Sequence, residues 1–337
     1  MTMLSKTLAP LALGAGLMAS ASVGAQTIAL ATDQPGTTFN TIGAAVADVI
    51  SDHSDINVVV RPYAGPAAWL PILNSGEVSL GTMSANSAYQ SFTGNNETET
   101  PYRDFRIIRA GEGSLMLGFV VREDSDIHSF ADLAGHRVAS DYGGHLSIGN
   151  SLRGSLEIGG LTWDDVTPVP VVSANDGVEA LVADRVDAAW ASLGQPVARE
   201  ADTQIGIRYL PAPDTPEAEE IYQRNVFPGA VISVAQAGAA PGADEPTPLL
   251  SYDAYIVVHE DMPDEQVATI LEALWEGTED LWPIHRSLQG FTHEASVTSA
   301  PVAPYHPAAI AFYEERGMWT PEDQARQDEL MAEAEAE

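Results

Sequence analysis

The sequence predicts an α/β architecture of two similar lobes with mostly parallel sheets, joined by a hinge. Three observations carry that expectation. Strand-like and helix-like periods alternate from Thr27 onward, one such run returns at a fixed offset of 108 residues, and 337 residues are enough to bury two cores.

The elements follow in order. "IALAT" (28–32) reads as a buried strand, "DQPGTT" as a polar turn, and "FNTIGAAVADVISDH" (39–53) as a helix with apolar residues at helical spacing. "INVVVRPY" (56–63) is rich in β-branched residues and reads as a second strand, and "AAWLPILNSG" (67–76) as a second helix. A short strand then runs into the small polar patch Ser84–Ala85–Asn86. Shifted by 108 residues, "VASDYGGHLS" (138–147) falls on "LATDQPGTTF" (30–39). The same shift sets Leu181 on Leu73, Asp184 on Gly76, Val186 on Val78, Ala188 on Leu80 and Ser192 on Ser84. Two separated segments that share one offset point to two lobes of one plan.

Between the repeats, "YRDFRIIRAGEGSLMLGFVVRED" (102–124) reads as strand leaving the first lobe for the second. "SYDAYIVVHEDMPDEQVATILEALWEG" (251–277) reads as a returning strand and then a helix opened by Pro263 and Asp264. The chain therefore divides into a signal peptide (1–25), a discontinuous first lobe (26–117 and 228–337) and a second lobe (118–227). The signal reading rests on Lys6, the apolar stretch "LAPLALGAGLMASASV" and the small-residue cleavage site Val23–Gly24–Ala25. "AGAAPGADEPTP" (237–248) reads as a surface loop, and "PEDQARQDELMAEAEAE" as a solvated acidic helix or a frayed tail.

Composition removes several classes of function. There is no cysteine, which excludes disulfides, thiolate metal sites and cysteine catalysis. Forty-eight acidic residues against 15 basic ones give a net charge of −33, and Lys6 is the only lysine. Such a surface repels phosphate backbones and anionic headgroups, so no nucleic-acid partner and no stable membrane insertion are expected. A lysine-free acidic coat fits a protein working in high salt, where self-repulsion is screened.

In open α/β sheets, ligands sit beyond the carboxyl ends of the strands, where helices begin with unpaired N–H groups. Four such edges are visible, two per lobe. In the first lobe they carry Gln34, Thr37, Thr38 and Phe39, then Ser84 and Asn86, with Tyr63 and Tyr89 nearby. In the second they carry Tyr142, Gly144, His145, Leu146 and Ser147, then Trp190, Ser192, Gly194 and Gln195. Small polar residues also cap helices in any protein, so no single edge is informative; four matched edges favour a ligand cleft. Arg153 on the following helix, and Arg61 at a strand end, are candidate partners for an anion, because a guanidinium pairs with a carboxylate at two points. Trp69 and Trp190 read as core or as cleft wall.

Other chemistry is missing from the sequence. HExxH, the phosphate-binding G-x-x-x-x-G-K-[ST], the G-x-S-x-G elbow and EF-hand spacing do not occur, and the eight histidines lack metal-ligand spacing. Carboxylates are so abundant that no acid–base pair stands out. Neither a catalytic residue, a metal site nor a cofactor is nominated.

Four stretches carry a family resemblance: "LNSGEVSLGTMSANSAYQSFTG", "FADLAGHRVASDYGGHLSIGNSLRGSLEIGGL", "LVADRVDAAWASLGQPV" and, most specifically, "HPAAIAFYEERGMW" near the end. From about Thr27 to Trp319 the chain resembles the substrate-binding proteins of TRAP transporters in the TAXI group. That resemblance implies a periplasmic solute receptor of type II periplasmic-binding-protein architecture, monomeric, whose partner is a TRAP membrane permease. The cleft stretches depart from the family's pattern while the scaffold holds: Thr38–Phe39–Asn40–Thr41 keeps one aromatic of two, and Gly144–His145–Leu146–Ser147 replaces Gly-Ser-Gly-Thr. The resemblance therefore implies the architecture and not a particular ligand. The leading expectation is a non-enzymatic receptor for a small organic anion, a carboxylate or an amino acid, with at least one arginine in its cleft. A ligand sensor for a signalling partner and an enzyme on the same scaffold are the alternatives.

Overall fold

The computed structural model describes residues 26–94 and 101–335. The segment read as a signal peptide lies outside the described residues. Alternation of strand and helix periods gives a first unit of β1 (Gln26–Asp33), α1 (Thr38–His53), β2 (Ile56–Tyr63), α2 (Pro66–Asn74), β3 (Leu80–Ser84) and α3 (Ala85–Thr93). β1 pairs in parallel with β2 on one side and β3 on the other. Strands β1 and β3 are apolar on both faces because helices cover both, as a parallel sheet demands.

The 18-residue strand β4 (Phe105–Arg122) then leaves for the second unit: β5 (Arg137–Asp141), α4 (Leu146–Ile158), β6 (Thr167–Val171), α5 (Ala174–Val182), β7 (Ala188–Ser192) and α6 (Pro196–Ile205). β5 again lies in parallel between β6 and β7. The repeat read in the sequence is a repeat of structure. β1 and β5 end at Asp33 and Asp141, α1 and α4 begin at Thr38 and Leu146, and β3 and β7 end at Ser84 and Ser192. These pairs keep the one offset. Gly76 and Asp184 keep it too, and both sit in the left-handed region, at φ +76° and +55°.

β8 (Ile207–Tyr209), α7 (Pro216–Asn225) and β9 (Val231–Ala235) lead to the return strand β10 (Thr247–His259). The whole sheet runs β2-β1-β3-β10-β4-β7-β5-β6, with β8 on β4 and β9 on β10. One end of β4 (Phe105–Gly111) pairs antiparallel with β10 beside β3, and the other (Leu117–Val121) pairs with β7. Two strands thus join the halves, with register shifts in β10 at Tyr252/Ala254 and Ile256/Val257 where they cross. Such irregularities bend a strand pair locally.

α8 (Asp264–Glu276), α9 (Thr278–Leu281) and α10 (Pro307–Glu315) complete the cover of the first unit. Arg109 of β4, 1% exposed, has no carboxylate partner among its hydrogen bonds. It donates to the Leu274 and Phe291 carbonyls and to the Thr278 hydroxyl, so the cation rests on the negative end of α8. Burial lowers its pKa. The acidic last helix, α11 (Pro321–Glu335), is more than a solvated tail. Leu330 is buried, and Gln327 bonds both the N–H and the carbonyl of Tyr305.

Candidate functional site

The strand ends of both units meet. In the first, Thr37 precedes α1; its hydroxyl accepts from Asn40 N (3.1 Å) and donates to the Gln34 carbonyl (2.8 Å). Ser84 precedes α3 and accepts from Ser87 N (2.9 Å). Both are helix N-caps of the usual kind. In the second unit the side chains just before α4 and α6 do not cap. Asp141 and Tyr142 adopt φ +67° and +46°, a turn that costs free energy for residues with a Cβ. His145, which follows, makes no side-chain cap for α4. Gln195 makes none for α6; its Oε1 accepts from Ser192 N instead (3.1 Å).

The polar groups released in this way reach across. His145 Nε2 lies 2.7 Å from Asp33 Oδ2, with both residues buried. Hydroxyl pairs bridge the halves at Thr38–Ser192 (2.6 Å) and Ser87–Ser147 (2.8 Å). Asn86 donates to the Ser147 carbonyl (3.0 Å), and Asn175 to the Pro35 carbonyl (2.8 Å). At one point the backbones themselves touch. A Cβ on Gly65 would stand 2.0 Å from the Gly144 carbonyl oxygen, and one on Gly144 would stand 2.3 Å from that of Ala64, so only glycine permits the approach.

These bridges surround a hollow of about 50 Å³, room for a few water molecules as the halves stand. A neighbouring hollow of about 40 Å³ lies on the other side of His145 and Ser147, against Pro66 and Gln90.

Of the residues expected at a cleft, Thr37, Thr38, Phe39 and Ser84 line the larger hollow from the first half. His145, Ser147, Trp190, Ser192 and Gln195 line it from the second. Gly144 and Leu146 line the smaller one. Seven others line neither. Gln34 is exposed, contributing only its carbonyl to the turn. Asn86 gives its amide N–H groups to the Ser147 carbonyl and the Ser151 hydroxyl. Tyr89 packs on Phe227, and Tyr63 is half-buried at the end of β2. Tyr142 points into the core, where its hydroxyl accepts from Trp190 N (2.9 Å). Gly194 turns at φ +82° and gives its carbonyl to His285.

Arg153, expected to meet an anion, is exposed on the outer face of α4, with its guanidinium on Asn150 (3.1 Å). Arg61 is likewise exposed, donating to the Glu77 carbonyl. Trp69 is wholly buried against Gly81, in the core rather than at the cleft.

Sequence reasoning passed over Asp33, Ser87, Leu115, Leu117, Ile148 and Tyr252, all of which line the larger hollow. Asp33 closes β1 and was legible from its place; the hinge residues Leu115, Leu117 and Tyr252 come from β4 and β10 and carry no local signal. Among the described residues lining either hollow there is no arginine or lysine. Titratable side chains of the larger one are Asp33, His145 and Tyr252. Burial pushes the Tyr252 phenol up to about 12, against the pull of hydrogen bonds with Asn86 and Ser151, so it stays neutral. Several buried polar atoms have no partner: Asp33 Oδ1, His145 Nδ1 and Trp190 Nε1 among them. The described residues contain no cluster of three metal-ligating side chains and no helix long and apolar enough to cross a membrane.

Solved structures share this architecture. The periplasmic binding protein BugD aligns with a TM-score of 0.55 at 14% identity, covering 92% of this chain and 97% of that one. The alkanesulfonate-binding protein SsuA from Xanthomonas axonopodis pv. citri, bound to MOPS, gives 0.51 at 15%, covering 91% and 97%. A binding-protein component of an ABC phosphonate transporter from Pseudomonas aeruginosa gives 0.51 at 11%, covering 92% and 95%. At such identities the likeness is one of fold: two α/β lobes of the periplasmic binding protein type. Residues 30–317 fit the model of the NMT1-like family, and the chain belongs to that family.

Proposed function

We propose that this protein is a periplasmic solute receptor that closes its two halves on a small organic acid and presents it to a TRAP-type membrane permease. The observation that carries the reading is the hollow itself. Matched strand ends of two repeated units face one shared hollow, and hydrogen bonds between the units bridge around it. Hinge closure on the crossing strands β4 and β10 is the motion such a receptor needs, and a permease could tell the closed form from the open one. The TRAP assignment rests on the sequence resemblance from Thr27 to Trp319. The structural neighbours named above include a component of an ABC transporter, so the transporter class is the point to test.

The acid group of the ligand would be met by hydroxyls and helix N-termini rather than by a guanidinium. The Thr37 and Ser84 hydroxyls already donate, to the Gln34 carbonyl and to Ser87, so the Ser87–Ser147 pair is left with one rotatable O–H to offer, at the starts of α3 and α4. The acidic, lysine-free surface is read as an adaptation to high salt and has no part in ligand choice.

Purified protein, denatured and analysed by mass spectrometry, should release a small organic acid. The same compound, added back at a hundredfold its dissociation constant, should stabilise the fold by about 2.7 kcal/mol in thermal unfolding. Steady turnover of that compound would replace the receptor by an enzyme. Co-purification with a sensor kinase rather than with permease subunits would replace transport by signalling.

A further inference from the structure

A third hollow, of about 420 Å³, lies beside the crossing strands and falls in the size range of small-molecule sites. Its walls are Glu112 and Gly113 of β4, Ser251–Asp253 of β10 next to the register shift at Tyr252/Ala254, part of β9, and the segment 294–300. Three carboxylates border it, those of Glu112, Asp253 and Glu294, and its described lining residues include no arginine, lysine or histidine. His293, next to Glu294, is turned onto Trp275, stacked on the indole at 3.8 Å and with Nε2 3.0 Å from the Trp275 carbonyl.

On a chain of net charge −33, acidic residues alone mean little. Two further observations set these apart. Asp253 is fixed in place: Oδ1 accepts from Gly113 N and Oδ2 from the Thr298 hydroxyl, each at 2.9 Å. Burial pushes its pKa up and the Glu112 carboxylate adds to that push, against the two hydrogen bonds. Ser251, 1% exposed, has a hydroxyl with no hydrogen-bond partner among the described residues. That oxygen is not sealed in the core like the orphan atoms of Trp69 or Ser140; it keeps accessible surface and stands 4.0 Å from a Cβ built on Gly113, on the wall of the hollow.

Carboxylate and hydroxyl oxygens both accept, so the group that suits this lining is a positively charged donor. A bare metal ion does not fit, since the described residues hold no cluster of three metal-ligating side chains. An ammonium does. Its N–H groups make charge-assisted bonds to a carboxylate and bond a hydroxyl at the same time, while Val231 and Val297 offer its carbon stem an apolar wall. We propose that this hollow is a second ligand site, for an aliphatic primary amine, with Asp253 and Ser251 as its polar floor and the exposed Glu112 and Glu294 at its rim. It shares Tyr252 alone with the hollow between the strand ends, and it stands whether or not the receptor reading does.

Calorimetric titration of the full chain with butylamine tests it, in about 0.5 M sodium chloride, where attraction to the acidic coat is screened within a few ångströms. Butylamine should bind saturably at one site. Tetramethylammonium, which has the charge but no N–H, should bind at least about tenfold more weakly. Asp253→Asn should cost butylamine about tenfold or more and Ser251→Ala about threefold, whereas Glu179→Gln, which removes a charge from the exposed side of α5, should leave the affinity unchanged. Equal binding of the two cations, or equal losses in Asp253→Asn and Glu179→Gln, would reduce the effect to the acidic coat and overturn the site. Absence of saturable binding overturns it outright. Should Asp253→Asn fold poorly, Ser251→Ala decides, because it removes one oxygen without breaking a hydrogen bond: unchanged affinity there sinks the proposed floor.

Discussion

Thr37 and His145 hold the same place in the two units, just before α1 and α4, and do opposite things. Thr37 turns back to its own helix and caps it. His145 leaves α4 uncapped and crosses to Asp33 of the other unit. The next equivalent pair behaves alike. Asn86 reaches over to the Ser147 carbonyl, whereas Gly194, at the matching position, has no side chain and offers its carbonyl to His285. The shared plan sets where the strands end. Contacts such as these, which hold the halves together, are departures from the plan, made by groups that the two units do not share.

The cores beneath the strand ends show the same division. In the first unit Trp69 of α2 fills the space over Gly81 of β3, where a Cβ would come within 2.5 Å of the indole. In the second, Gly177 stands at the position of Trp69, and the space is filled from the turn by Tyr142, whose hydroxyl would lie 2.6 Å from a Cβ there. Trp69→Ala should therefore give the largest effect, a loss of about 3–5 kcal/mol in urea unfolding, because it opens a cavity in a fully buried site. A loss below about 1 kcal/mol would break the comparison, since it would mean that Trp69 is not the volume holding α2 on the sheet.

Tyr142→Phe probes the second unit more gently. It keeps the ring over Gly177 and removes the acceptor for Trp190 N–H, leaving a buried backbone donor unpaired. A destabilisation of about 1–3 kcal/mol is expected. Affinity for the ligand should fall with it, because the left-handed turn at Asp141 and Tyr142 leads directly into His145. Stability lost with affinity intact would separate the turn from the site.

These pairings also mark what the sequence could and could not disclose. The offset of 108 residues was visible in "VASDYGGHLS" and "LVADRVDAAWAS", since hydrophobic period and turn residues are local, and it set the strand ends correctly. Local pattern does not say which way a polar group turns. Tyr142 looked like a cleft residue and is core, because the left-handed backbone at positions 141 and 142 sends its ring inward. The charge of Arg153 points to an anion, but charge says nothing of direction. The phase of α4, whose buried residues include Ile148, Leu152 and Leu156, sets position 153 outward, and that phase was legible. Asp33 was hidden among 48 acidic residues; what distinguishes it is the histidine brought from 112 positions away.

The smallest expected effect concerns the Gly194 end and depends on pH. His285 Nε2 lies 2.9 Å from the Gly194 carbonyl, and its Nδ1 accepts from Ser287 N, an arrangement that requires the neutral ring with hydrogen on Nε2. Burial lowers the pKa of His285, and nearby Arg286 and Arg199 push the same way, against the bond to Gly194. The folded protein thus holds this proton less tightly than the unfolded chain. Its stabilisation is full above the ordinary histidine range of about 6.5 and is lost as pH falls through the lowered folded value. His285→Gln can still donate to the Gly194 carbonyl but cannot titrate. Unfolding free energies of wild type and variant should therefore converge or cross as pH drops from 8 towards 5, with wild type losing more. His306, also lowered by burial, is present in both proteins and cancels in the difference. Parallel pH profiles would mean that Gly194 is held by something other than a neutral His285, and the asymmetry between Asn86 and Gly194 would need another cause.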